Sequence, residues 1–194
     1  ISQNSMVSSQ KMRNGDLSDS EWANIVESAN IIGNSNIIID DTPGISIGEM
    51  RSKCRKFKLE KDIQLVIVDY LQLMTTNGRS SSREQEIAEI SRTLKGIARE
   101  LNVPVIALSQ LNRAAETRED KKPIMADLRE SGSIEQDADV VMLMSRFYDK
   151  ETKTEDRNRI IVNVAKQRNG HVGEVELVWL PQYTKFENAE TEQV

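Results

Sequence analysis

Apolar and polar positions along this chain fall into two periods. Between residues 84 and 101, Ile87, Ile90, Leu94, Ile97 and Leu101 recur at spacings of 3, 4, 3 and 4, which is one face of an α-helix. Ile47, Met50, Cys54 and Phe57 form a second helical stripe, and Ser46 followed by Glu49 has the form of a capping box. A third helix is predicted from Ser18 to about Ile32 on Trp22, Ile25, Val26 and Ala29. A short one over residues 1–15 would close at Gly15. Between these lie short apolar runs of strand character. They are Ile37-Ile38-Ile39, closed by Asp40-Asp41-Thr42-Pro43-Gly44, then residues 64–69, 103–109 and 140–144, with Met142 and Met144 read as core.

Residues 75–83, 111–122 and 149–159 read as polar loops, and residues 124–136 as a short helix followed by Gly132 and a turn. The end of the chain changes character. Residues 160–165 and 172–180 are β-rich and flank Asn169-Gly170, a hairpin signal, and residues 183–187 add a closing strand. Strands alternating with helices, followed by a hairpin, predict an α/β fold: a largely parallel sheet flanked by helices, with an antiparallel hairpin at the C-terminal end. One domain over residues 1–187 is expected, with residues 188–194 as a frayed acidic tail.

Composition narrows the function. The chain has 194 residues, 26 of them Lys or Arg and 31 Asp or Glu, for a formal charge of −5. That balance argues against a surface coated in positive charge for nucleic acid, while leaving room for a few basic loops. No apolar run approaches the roughly 18 residues of a membrane span; the longest is interrupted by Pro104. A single cysteine, Cys54, makes no internal disulfide and points to a reducing, cytoplasmic compartment. With one histidine, His171, it cannot furnish a His/Cys zinc site, and Cys–His catalysis is disfavoured. The chain begins Ile1-Ser2-Gln3, so it reads as an excised piece of something longer, incomplete at its N-terminus.

In open parallel sheets, ligands sit beyond the carboxyl ends of the strands. Asp69 ends one apolar run, where a carboxylate can serve a Mg²⁺–phosphate pair, although Asp also ends many strands as a turn former. Gln110 follows the next run and could contact a γ-phosphate or an attacking water. Lys166 and Arg168, two residues apart, project from one strand face; they suit a neighbouring subunit's phosphates, or simply a solvated basic hairpin. The run Asp127-Leu128-Arg129-Glu130-Ser131-Gly132 could track a nucleic-acid backbone, or cap a helix. Arg79, Arg83, Arg113 and Arg118 are further candidates of that kind. The basic run over residues 51–61 is read as the solvated face of an amphipathic helix, and Cys54 as a core thiol. No Gly-x-x-x-x-Gly-Lys-Ser/Thr phosphate loop occurs.

Taken together, several runs resemble one family. Val66-Ile67-Val68-Asp69-Tyr70-Leu71-Gln72-Leu73 resembles the Walker B motif of DnaB-type replicative helicases. The runs Ser91-Arg92-Thr93-Leu94-Lys95, Val103-Pro104-Val105-Ile106-Ala107-Leu108-Ser109-Gln110-Leu111, the stretch from Leu128-Arg129-Glu130 to Asp137-Ala138-Asp139, and Lys166-Gln167-Arg168-Asn169-Gly170 follow in the family's order. The resemblance implies a RecA-like motor domain of a ring-shaped homohexamer that uses ATP and Mg²⁺ to move 5′→3′ on single-stranded DNA and unwind duplex. Asp69 would be the Walker B acid and metal ligand, Gln110 the γ-phosphate sensor, and Lys166 and Arg168 a finger pair completing the next subunit's site. Arg129, Glu130 and Gly132, with Arg113, would contact the DNA. Primase and a helicase loader are the implied partners. The family's Walker A loop and catalytic glutamate match nothing here, so the chain alone is expected to turn over ATP poorly. Two other readings are a RecA-like recombinase or signalling ATPase, and a non-catalytic module that docks onto an intact ring.

Overall fold

The computed structural model describes residues 1–76, 82–119, 121–149 and 154–189. The chain divides into two compact units, one of residues Ile1–Asp40, Met144–Val162 and Glu174–Val194, the other of Asp41–Leu143 and Asn163–Gly173.

The second unit carries the α/β core. Its helices α4 (Ile47–Lys61) and α5 (Arg83–Leu101) start where a serine caps them: the Ser46 hydroxyl accepts from Glu49 N and that of Ser82 from Gln85 N. The carboxylate of Glu49 pairs with Lys53 one turn on, at 3.1 Å. Gly44, with φ 62°, occupies the left-handed region that the turn before α4 requires, where a side chain would be strained. The two apolar stripes meet the short parallel strands β1 (Val66–Val68) and β2 (Val105–Ala107), which pair Val66 with Val105 and Val68 with Ala107. Ile47, Met50, Cys54, Val68, Leu71, Met74, Ile87, Ile90, Leu94 and Ile97 form one buried cluster. Arg51 and Arg55 both bridge α4 to Glu100 on α5 and hold its carboxyl below the usual range, Arg55 most strongly. The opposite sheet face is bare: Ile67 is 61% exposed and Ile106 46%, whereas parallel strands are usually covered on both sides.

Leu128 of the 3-10 turn Met125–Ser131 forms a second small cluster with Val141 and Leu143, while the short helix α6 (Gly132–Asp137) sets Ile134 against the first. Gly132 therefore opens a helix, where the sequence suggested it closes one. The expected polar loop at 111–122 contains a 3-10 turn, Arg113–Thr117.

In the first unit, α1 (Ser2–Ser5) and α2 (Ser9–Asn14) replace the single helix expected over residues 1–15. Met6 takes a left-handed conformation, φ 53°, and breaks it, while Gly15 closes α2 as expected. Helix α3 (Asp19–Gly33) begins in a complete capping box between Ser18 and Glu21. It packs on α1, where the buried residues are Ser5 and Ser28. Its apolar stripe is not the buried side: Trp22 is 52% and Val26 55% exposed. Ile37, Ile38 and Ile39 form no strand and are exposed. β-propensity alone does not make a strand, because the backbone needs a hydrogen-bonding neighbour.

The four-stranded sheet runs β3 (Val140–Asp149), β4 (Thr154–Gln167), β5 (Gly173–Leu180), β6 (Lys185–Asn188) in that spatial order. β5 and β6 pair antiparallel, Trp179 opposite Phe186, with ring centroids 4.6 Å apart. Strand pairing extends into the charged stretch read as a loop, and Arg159 lies over the Phe147 ring at 3.9 Å while pairing with Glu176 at 2.6 Å. On β3, alternation buries Val141 and Leu143 and exposes Met142 and Met144, which are not core residues. The Asn169-Gly170 segment is a longer connection than a two-residue turn, since β4 ends at Gln167 and β5 starts at Gly173. Among the described residues no helix is long and apolar enough to cross a membrane.

Candidate functional site at the strand ends

The parallel register of β1 and β2 sets Asp69 and Gln110 at the same end of the sheet. Beyond the strands the two chains remain joined: Leu108 N donates to Val68 O and Leu71 N to Leu108 O, both at 2.9 Å. Asp69 is exposed, and its peptide bond to Tyr70 is cis. The chain then makes a 3-10 turn, Leu71–Leu73, anchored by the buried Leu71.

That turn aims Gln72 at the neighbouring strand end. Its side-chain amide donates to Ser109 Oγ at 3.0 Å and Gln110 O at 3.4 Å, and accepts from Gln110 N at 3.2 Å. An amide carries both a donor and an acceptor and so can grip one backbone residue twice. Arg83, the first residue of α5, donates in turn to Gln72 O at 2.7 Å and Met74 O at 3.4 Å. Gln72 thus fixes the backbone that carries Gln110. Inspection of strand ends overlooks it because it lies in the turn, but a polar side chain inside Tyr70-Leu71-Gln72-Leu73 was the available signal.

Lys166 and Arg168 share a face, as their spacing required, and both reach the last turn of α6. Lys166 donates to Glu135 O, and Arg168 to Gln136 O at 2.9 Å. Arg168 also lies 3.3 Å from Asp139 Oδ1, and its backbone N–H donates to Asp139 O at 3.0 Å. Lys95 of α5 pairs with the other oxygen of Asp139 and, with Arg168 further off, holds that carboxyl below the usual range.

Of the four DNA-contact candidates, the backbone of Arg129 lies in the turn Met125–Ser131 along with that of Glu130, Gly132 begins α6, and Arg113 begins Arg113–Thr117. Their side chains lie outside the described residues, as does Arg79. Asp127, which opens the run read as a nucleic-acid contact or a helix cap, ties the two segments together. It is buried, its carboxylate accepts from Ile124 N at 2.8 Å and from Arg118, and its carbonyl accepts from Asn112 N at 2.9 Å. Arg118 and Arg83 are therefore engaged within the fold. Among the described residues no group of three or more His, Cys, Asp or Glu side chains could enclose a metal.

Known proteins share this fold. A profile described as "DnaB-like helicase C terminal domain" matches residues 1–188. The replicative DNA helicase DnaC of Bacillus subtilis is 52% identical over 187 residues, 95% of this chain and 41% of that protein. The replicative DNA helicase DnaB of Geobacillus stearothermophilus is 48% identical over the same shares. The chain thus spans about two-fifths of the length of these relatives. A solved DnaB-like replicative helicase, described with its interactions with primase, superposes with a TM-score of 0.90 at 39% identity, over 97% of this chain and 47% of that one. A second solved structure, described as an ATPase domain, gives a TM-score of 0.89 at 41% identity, over 97% of this chain and 68% of that one. The fold is the RecA-like α/β fold of these ATPase domains.

Proposed function

This chain belongs to the family of DnaB-like helicase C-terminal domains, and we propose that it serves as part of the ATP-driven motor of a replicative DNA helicase. The observation that carries the reading is the joint of Asp69, Gln72 and Gln110 at one end of the β1–β2 pair. It sets a carboxylate and an amide just beyond the same ends of two paired strands, with the Gln110 backbone held by Gln72.

The residues suit Mg²⁺–ATP. Mg²⁺ commonly takes one or two carboxylates and fills its remaining positions with water and substrate phosphates. A lone Asp69, with no enclosing cluster among the described residues, matches that demand. When bound, Mg²⁺ neutralises charge on the β- and γ-phosphates. Asp69 would hold it, and Gln110 would face the γ-phosphate. Lys166 and Arg168 are the cations suited to charge developing on a phosphoryl group held by an adjacent subunit, which calls for a homohexameric ring. The segment around Arg129, Glu130 and Gly132, with Arg113, is the proposed contact with single-stranded DNA. Primase and a loader are proposed partners of the assembled protein.

The phosphate-cradling loop is not in these 194 residues, so the chain by itself is expected to show no ATP turnover above a blank. The product of the complete reading frame should unwind a forked duplex only with ATP and Mg²⁺, and Asp69→Asn should abolish this. Strand exchange without unwinding would favour a recombinase. Unwinding that survives Asp69→Asn would refute the assignment of the site.

A further inference from the structure

We propose that Asp139 is a positioning residue for the cation pair: it docks Arg168, and with it Lys166, on the last turn of α6, so that the segment opening at Gly132 and the two cations are held as one piece. This rests on the reading of Lys166 and Arg168 as trans-acting residues. The two cations reach one end of the same short helix that Gly132 opens, just after Arg129 and Glu130 in the chain.

The contacts are specific. The final carbonyls of a helix have no partner within it and carry partial negative charge. Glu135 O and Gln136 O are such groups, and Lys166 and Arg168 occupy them. Asp139 adds a carboxylate to the Arg168 guanidinium and a carbonyl to its backbone N–H. The carboxylate is itself braced by Lys95. Lys95 sits on α5 between the core residues Leu94 and Ile97, both buried, so the brace stands on the most firmly packed helix of this unit. An unrestrained arginine would lose much rotamer freedom on reaching a phosphate, and a fork held in advance loses less. Asp139 and Arg168 are both about half exposed. Pairs so exposed contribute little to stability, so this one serves orientation.

The test uses the product of the complete reading frame, with turnover measured with and without single-stranded DNA, together with DNA affinity. Removing the charge in Asp139→Asn should lower DNA-stimulated kcat about tenfold or more, while KM for ATP and the Kd for single-stranded DNA stay within about twofold. Lys95→Met should produce a smaller loss of the same kind, and Arg168→Ala a loss at least as large as Asp139→Asn. A normal stimulated kcat in Asp139→Asn, with Arg168→Ala inactive, overturns the positioning role alone. A parallel fall in DNA affinity in Asp139→Asn also overturns it, because Asp139 would then be shaping the fold. Wild-type turnover in Arg168→Ala overturns the assignment of the finger on which the proposal stands.

Discussion

Replacing Gln72 with alanine removes three hydrogen bonds at once and leaves the Gln110 amide without the acceptor it has at 3.2 Å. Each such bond contributes about 0.5–1.5 kcal/mol net. Two of the three are long, and Gln110 is exposed, so water replaces part of what is lost. The expected cost is about 1–2 kcal/mol, confined to the strand ends, which corresponds to a factor of roughly 5–30 in a local opening equilibrium. Amide hydrogen exchange followed by NMR reads this directly. The Gln110 amide should exchange faster by that factor in Gln72→Ala, while amides in the middle of α5, such as Ile90, keep their rates. Gln72→Glu offers a graded comparison. Its carboxylate can still accept from Gln110 N but cannot donate to Gln110 O, so the acceleration should be smaller. Less than a twofold change at Gln110 in Gln72→Ala would refute the idea that this side chain holds the sensor backbone. An equal acceleration across α5 would refute its being local.

Two further outcomes are expected from the packing and the charges. Ile90 of α5 is fully buried in the cluster it shares with α4 and Val68 of β1, so Ile90→Ala should cost about 2–5 kcal/mol, read as a lower denaturant midpoint; a loss under about 1 kcal/mol would mean the site collapses around the void. Glu21, held to about 2 by Lys11 and then by Ser18 N, against an ordinary 4.5, binds protons less readily folded than unfolded. Its contribution is therefore complete above the ordinary value and lost as pH falls from there toward about 2. Glu21→Gln should lower Tm at pH near 6, and the difference from wild type should close as the melts are repeated down that window; a gap that widened instead would contradict the sign.

Legibility followed the range of the interaction. The stripes of α4 and α5, the cap at Ser46, the parallel runs ending near Asp69 and Gln110, and the shared face of Lys166 and Arg168 are set by residues close together in the chain, and local patterns report them. The motif runs carried the family as well, since order and spacing survive without any knowledge of contacts. What the tertiary structure decided involves partners far apart. Whether Trp22 and Val26 are covered depends on what packs against α3, and they are exposed. Ile37–Ile39 has strand composition but pairs with no strand among the described residues. β3 runs on to Asp149 because β4 supplies the partner its charged end needs. The grip of Gln72 on Gln110, of Asp127 on Ile124 and Asn112, and of Asp139 on Arg168 belongs to the same class. Each depends on a side chain meeting backbone or charge brought near by folding, and no local pattern of apolar and polar residues encodes that meeting.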